Sequence, residues 1–383
     1  MWPDDRLINL FDIDLPIIQA PMAGSGFSDM VIAVSEAGGL GSLACALLSV
    51  EQARRELDTI RRNTSRPINM NFFCHQQPRD DPAREVSWRR RLDSYYTELG
   101  LENNNTVLGS TRAPFDDKMC DLIMEFKPEV VSFHFGLPDR DLLERVHRAG
   151  AKIISSATSV DEARWLEDRG CDAIVAQGYE AGGHRGMFLT QDVSTQIGTI
   201  ALVPQVVDAI KVPVIAAGGI ADARGIVAAF ALGAAAVQIG TAYLLCPEAR
   251  VSPLYRQALK DTKDNASAVT NVFTGRPARG IVNRLMREIG PMSDLAPEFP
   301  LAAAAIMPLR AKSEMAGSAE FTPFWSGQAA HLNREIPAAE LTKQLAAETL
   351  EKLRWLHISA PASVESILDQ AAALANVGIS VSR

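Results

Sequence analysis

VPVIAAGGIADARGIVAAFALGAAAVQIGTAYL, residues 212–244, holds the pattern that decides the fold. An apolar run rich in β-branched residues, PVIAA (213–217), ends on Gly218 and Gly219. Asp222 then opens a helix-like stretch, ARGIVAAFALG, that stops at Gly233, and a second apolar run, AAVQIG (235–240), follows. Strand, glycine turn, capped helix and strand again make the βα unit of a parallel sheet. Both runs are continuously apolar, as expected of strands buried on two faces. The uncharged run 228–245 is long enough to suggest a membrane span. Gly233, Gln238, Gly240 and Thr241 interrupt it, and a helix–turn–strand reading accounts for it better.

The same unit recurs upstream. PIIQA (16–20), GLGSL (39–43), PINMNFF (67–73), EVVSFHF (129–135), AKIISSA (151–157) and DAIVA (172–176) each precede a helix-like stretch. Ser159 and Gly170 bracket one of these, as Asp222 and Gly233 bracket another. With the two runs above there are eight strands, which predicts a (β/α)8 TIM barrel over an open doubly wound sheet. Two intervals, from 67 to 129 and from 172 to 213, carry insertions, and the first is polar over roughly 74–115. The expected division is a barrel over 1–246, a smaller, mostly helical cap over 247–335 inserted after the eighth strand, and closing helices over 336–383. PAAELTKQLAAETLEKLRWL (337–356) has the period of such a closing helix.

The 383 residues include 38 Lys+Arg against 46 Asp+Glu, a net charge of −8, which offers no basis for binding nucleic acid or an anionic membrane. The five cysteines are an odd number without a C-x-x-C pair, which excludes a disulfide framework and a zinc knuckle. They point to a reducing, cytoplasmic setting. MWPDDRLINL at the start lacks the apolar stretch of a secretory signal. The histidines show no metal-ligand spacing, so no metal site is expected.

Barrel enzymes carry their sites on the loops after the strands, with a phosphate often held by the last two. Here those loops offer Gly218 and Gly219, then Gly240, each ahead of a helix start, which suits a phosphate. Gly182 and Gly183 add a third glycine loop after the sixth strand. His184 stands among these glycines on a loop that looks too small to bury it, and is the candidate general base. Gln177, ending the sixth strand, could hydrogen-bond a flat heterocycle or merely cap the strand. Met22, after the first strand, could pack against a ring or fill a core gap. Asn69 and Asn71 share one face of the third strand, and Asn71 is the better placed for a ring. His134, ending the fourth strand, is either a second titratable group or a packed side chain.

LPIIQAPMAGS (15–25), QGYEAGGHRG (177–186), the stretch quoted first and FWSGQAA (324–330) together resemble nitronate monooxygenase, the flavin family formerly called 2-nitropropane dioxygenase, in its first class. The resemblance implies a barrel that binds FMN without metal and oxidises alkyl nitronates with molecular oxygen, with propionate 3-nitronate as the expected substrate. It places flavin contacts on Met22, Asn71, Gln177, Gly182, Gly219 and the run Gln238, Ile239, Gly240 and Thr241, and the catalytic base on His184. Its partners are then a small-molecule nitronate and O2, and a homodimer stays open. The FMN- and NAD(P)H-dependent enoyl-thioester (enoyl-ACP) reductases resemble this family in barrel and histidine, and are the rival reading. A barrel that binds a phosphorylated ligand without catalysis and a flavin-free phosphosugar enzyme are the remaining alternatives.

Overall fold

A computed structural model describes residues 2–103 and 112–358. Eight parallel strands form one sheet: β1 (Ile17–Gln19), β2 (Gly41–Ala44), β3 (Ile68–Phe73), β4 (Val130–His134), β5 (Lys152–Ala157), β6 (Ala173–Gln177), and, past a short β7 (Gly183–His184), β8 (Val214–Ala217) and β9 (Ala236–Ile239). Their order is β1-β9-β8-β6-β5-β4-β3-β2. A parallel bridge between Ile18 and Leu40 joins the two ends, and the Leu40 and Gln19 amides donate to the carbonyls of Ile17 and Leu40 at 3.0 Å each. The sheet thus closes into the expected TIM barrel.

The punctuation read from the sequence works as backbone chemistry. The Ser159 hydroxyl accepts from the Glu162 amide to start the helix Val160–Glu167, and the Asp222 carboxylate accepts from the Arg224 amide to start Ala223–Ala231. Gly170 and Gly233 follow the ends of these two helices at φ of +87° and +92°, where a side chain would be strained. Helix Ala338–Ile358 packs on barrel helices Ser28–Glu36 and Ala223–Ala231, pinned by the buried Tyr243 and Thr342 hydroxyls 2.8 Å apart.

Ile18, Leu40, Val130, Ile154, Val175 and Ile215 belong to the core cluster that fills the barrel interior. Towards the strands' C-terminal ends the residues become small or polar: Asn71, Ser132, Ser155, Ser156 and Ala217. Such side chains leave volume unfilled, and the mouth opens as a cavity of about 530 Å³.

The cap contains the helices Pro253–Asp261, Arg284–Ile289 and Ala302–Met315, and also a sheet that helical periodicity could not announce. Strands β10 (Ser267–Thr270) and β11 (Ala278–Ile281) form an antiparallel hairpin, and β7, sent out by the barrel loop after β6, adds as the third strand. The polar insertion after β3 supplies helix Pro82–Glu98, which lies on Ala302–Met315. Trp88 donates to the Ala302 carbonyl at 3.3 Å and Tyr96 to that of Ala305 at 2.8 Å. Trp88 is fully buried among cap side chains, and its truncation to alanine would cost about 3–5 kcal/mol. No helix among the described residues is long and apolar enough to cross a membrane.

Candidate active site

One wall of the cavity is made of glycines. Gly182, Gly183, Gly218, Gly219 and Gly240 all line it, with Thr241 and Gln238 beside them. Gly218 and Gly219 take φ of +108° and +71°, so the turn after β8 needs glycine for its conformation. Gly182 needs it for space, because a Cβ there would sit 2.5 Å from the Gly327 amide nitrogen. The Gly219 and Gly240 amides donate to no acceptor among the described residues, and 3-10 helix Thr241–Leu245 starts directly after Gly240. Backbone donors in a wall without side chains suit a phosphate. The Thr241 hydroxyl accepts from the Gly327 amide at 2.9 Å, which ties FWSGQAA to this wall.

Met22 and Asn71 also line the cavity. The Asn71 side-chain amide donates to the Ser132 hydroxyl at 2.9 Å, which fixes its orientation. Ile239, by contrast, is fully buried within the barrel wall and does not line the cavity. The strand alternation that brings Gln238 to the mouth turns Ile239 outward, under the helices.

The other wall departs from the sequence reading. His184 lies on strand β7, paired with Ala278, and its ring is packed on several sides. Phe299 and Trp325 lie 5.3 and 5.4 Å from it, centroid to centroid, and Phe73 and Phe135 at 6.0 and 6.1 Å. Its Nε2 is 3.0 Å from the Thr274 hydroxyl. The loop is too small to bury an imidazole by itself; the cap hairpin and distant aromatics half-bury it and leave it on the cavity lining. Burial first, then the charges of Arg112 and Arg276, push its pKa well below the usual histidine value, so the ring is neutral at pH 7.

Gln177 lines the cavity, yet both ends of its amide serve the loop. Nε2 donates to the His184 carbonyl at 3.0 Å, and Oε1 accepts from the Gly186 amide at 2.7 Å. It thereby shapes the strap that carries His184, and its second N–H and second lone pair remain for a ring at the cavity. His134 shares that task. Its Nε2 lies 3.1 Å from the same carbonyl, which can only accept, so this nitrogen carries the proton and Nδ1 takes the Ser156 hydroxyl at 3.1 Å. Burial first pushes the His134 pKa down to about 3. Both its nitrogens have partners, which leaves no lone pair for a substrate.

Buried arginines hold the rest of the strap. Arg185 donates to the Gln177 carbonyl at 2.8 Å and to Gln196 at 2.9 Å, and Arg279 to the Tyr179 carbonyl at 3.0 Å. Glu180 does not meet Arg185; it accepts from the Thr199 amide and hydroxyl at 2.8 Å each. Phe135 takes φ of +72°, a rare conformation for a bulky residue, directly against His134 and under the Arg276 guanidinium.

Sequence reasoning missed Phe73, Arg112, Thr274 and Phe299, whose places depend on chain crossings far apart in sequence. Gly275, at φ of +87°, marks the hairpin turn that carries Thr274 and was the nearest available signal. Three arginines, Arg112, Arg250 and Arg310, line the cavity, and no aspartate or glutamate does among the described residues. Arg250 is paired behind the wall with Asp29 and Glu56 at 3.2 and 3.5 Å, and Arg310 with Glu314 at 2.8 Å.

Comparison with known proteins agrees over nearly the whole chain. The family profile described as Nitronate monooxygenase matches residues 4–348. The nitronate monooxygenase of Pseudomonas aeruginosa is 41% identical over 349 residues, covering 90% of this chain and 99% of that one. That of Paraburkholderia phytofirmans is 40% identical, covering 91% and 96%. Among solved structures, nitroalkane oxidase from Streptomyces ansochromogenes superposes with a TM-score of 0.82 at 38% identity, covering 92% and 99%. FabK from Thermotoga maritima does so with a TM-score of 0.70 at 30% identity, covering 92% and 98%. On fold, site and kinship together, the chain belongs to the nitronate monooxygenase family, a family of flavin-dependent oxidoreductases.

Proposed function

We propose that this chain oxidises alkyl nitronates with molecular oxygen to a carbonyl compound and nitrite or nitrate, with FMN held at the barrel mouth. The observation that carries this reading is the composition of one cavity: glycine amides on one wall, a neutral imidazole on the other, three arginines and, among the described residues, no carboxylate on its lining. A nitronate is an anion, and such a cavity favours anions at two places. The glycine loops after β6, β8 and β9 would hold a single phosphate, and the chain carries no dinucleotide fingerprint for a pyrophosphate, which favours FMN over FAD. Met22, Asn71 and Gln238 line the space a flavin ring would need.

When bound, the flavin supplies the electron acceptor. The chain's own residues bind, orient and manage one proton. The aromatic rings of Phe73, Phe135, Phe299 and Trp325 pack around His184 and leave one side of its imidazole on the cavity. A neutral nitroalkane must lose its α-proton before electrons can leave it, and the His184 imidazole is placed to take that proton. The resulting imidazolium would be paired with the nitronate it creates, which offsets the burial that depresses its basicity.

Arg112, whose pKa is pushed down to about 10 by burial and then by the Arg310 charge, favours a substrate with a second negative group. A carboxylated nitronate such as propionate 3-nitronate meets that description. The physiological role would then be detoxification of such compounds. All five cysteines are unpaired, which supports a cytoplasmic setting.

Oxygen consumption by the purified protein with a panel of nitronates, with and without NADH, tests the reading. Nitronate-dependent uptake without NADH is the expected result. NADH oxidation with an enoyl thioester and no response to nitronates would replace it with the enoyl-thioester reductase reading. Mass analysis of the extracted cofactor separates FMN from FAD.

A further inference from the structure

We propose that Thr274, in the cap hairpin, sets the tautomer of His184, so that the proton sits on Nε2 and the basic lone pair on Nδ1 faces the substrate. The role of that lone pair rests on the function proposed above; the tautomer itself does not.

A threonine hydroxyl has one proton to give and lone pairs that accept. The Thr274 Oγ1 has two neighbours: the Arg276 carbonyl at 3.3 Å and His184 Nε2 at 3.0 Å. A carbonyl cannot donate, so the hydroxyl proton goes to Arg276 and Oγ1 accepts from an Nε2–H. The opposite choice, a hydroxyl donating to a bare Nε2, leaves the Arg276 carbonyl without that partner. Thr274 is almost fully buried, and in such surroundings the arrangement that satisfies both groups wins. Nδ1 has no partner among the described residues, and the ring lies on the cavity wall.

His134 makes the logic visible by contrast. It is held in the same tautomer by the His184 carbonyl, but the Ser156 hydroxyl occupies its Nδ1. Two histidines in one tautomer thus end in opposite states, one closed on both nitrogens and one open on Nδ1. When a nitroalkane reacts, the α-proton would pass to Nδ1, and the C–H electron pair would move onto the nitro group to give the nitronate. Thr274 touches neither substrate nor reacting atom, and is a positioning residue.

The test is 15N NMR of the histidine ring nitrogens in the purified, flavin-loaded protein, with the same protein stripped of flavin as a second sample. A His184→Gln variant identifies the His184 signals by their disappearance. The expected wild-type pattern is a protonated Nε2 and a bare Nδ1. Thr274→Val, nearly the same shape without the hydroxyl, should mix the tautomers and lower kcat for a neutral nitroalkane about tenfold, the scale of one hydrogen bond. Turnover of a preformed nitronate should barely change, and Thr274→Ser should restore both signal and rate. A wild-type His184 protonated on Nδ1, or a Thr274→Val spectrum identical to wild type, would overturn the proposal. A wild-type protein inert to every nitronate would remove the functional reading and leave the tautomer assignment standing on its spectrum.

Discussion

The two walls of the cavity are built from different material. The wall after β8 and β9 is main chain: Gly218 and Gly219 at positive φ, and the Gly219 and Gly240 amides without an acceptor among the described residues, within short turns. The facing wall is side chain: residues 73, 112, 134, 184 and 325 line it and residues 135, 274 and 299 pack against His184, gathered by barrel, insertion and cap together. A backbone wall is encoded locally and tolerates almost no side chain. A side-chain wall is encoded globally, and each member can change while the rest keep the cavity closed. Substitutions in the first should therefore act on cofactor retention, and those in the second on substrate and proton transfer.

The sharpest break of that comparison is Gly219→Asp. The left-handed backbone there costs a non-glycine residue about 1–2 kcal/mol. The new carboxylate would also crowd Glu180, whose Cβ lies 3.2 Å from the position a Cβ would take. Beside a phosphate, like charges about 4 Å apart repel by roughly 4 kcal/mol at an effective dielectric near 20. The expected outcome is a folded barrel by circular dichroism with flavin absorbance near zero. Full flavin content would move the phosphate elsewhere.

His184→Ala comes next, and should leave flavin content intact. Neutral nitroalkane turnover should fall by about 10²–10⁴-fold, the usual worth of a general base. A preformed nitronate needs no deprotonation and should lose less, which steady-state kinetics on both substrates will show. Equal losses would make His184 a binding residue.

Arg112→Met should raise KM for propionate 3-nitronate about tenfold, the scale of one charged hydrogen bond, while leaving the KM of an uncharged-tail nitronate such as ethyl nitronate nearly unchanged. A rise of the same size for both would assign Arg112 to the nitronate group itself.

The smallest effect concerns stability. His75 and His134 are held to about 4 and about 3, mainly by burial, and His184 well below its usual value. Each is depressed in the folded state, so the unfolded chain binds the extra protons. Stability is then fully present above about pH 6.5 and falls as pH drops through the window down to about 3. The slope is at most about 1.4 kcal/mol per pH unit for each histidine. His134→Gln, which can keep both hydrogen bonds, should flatten the acid limb of Tm against pH by one proton. An unchanged limb would place the acid lability in other groups.

The same division explains what could be read in advance. Eight strands, their helix starts and the three glycine loops were legible because each rests on a period, a cap or a glycine within a few residues. His184 was legible as a residue of the barrel mouth from its glycine neighbours, but its surroundings were not. Strand β7 has two residues, too few for any period, and exists only because β11 offers an edge to pair with. The polar insertion hid helix Pro82–Glu98, whose Trp88 and Tyr96 are buried only because the cap lies over them.

The amino-acid sequence by itself determined the barrel and the glycine turns at its mouth, since both follow from local backbone preferences repeated along the chain. The tertiary structure alone decided the surroundings of His184: which ring nitrogen is engaged, which cations depress it, and that Gln177 and His134 support its backbone. Hydrogen-bond direction and burial depend on partners far away in sequence, as with Thr274 at 90 residues and Trp325 farther still, and no local pattern of residues records them.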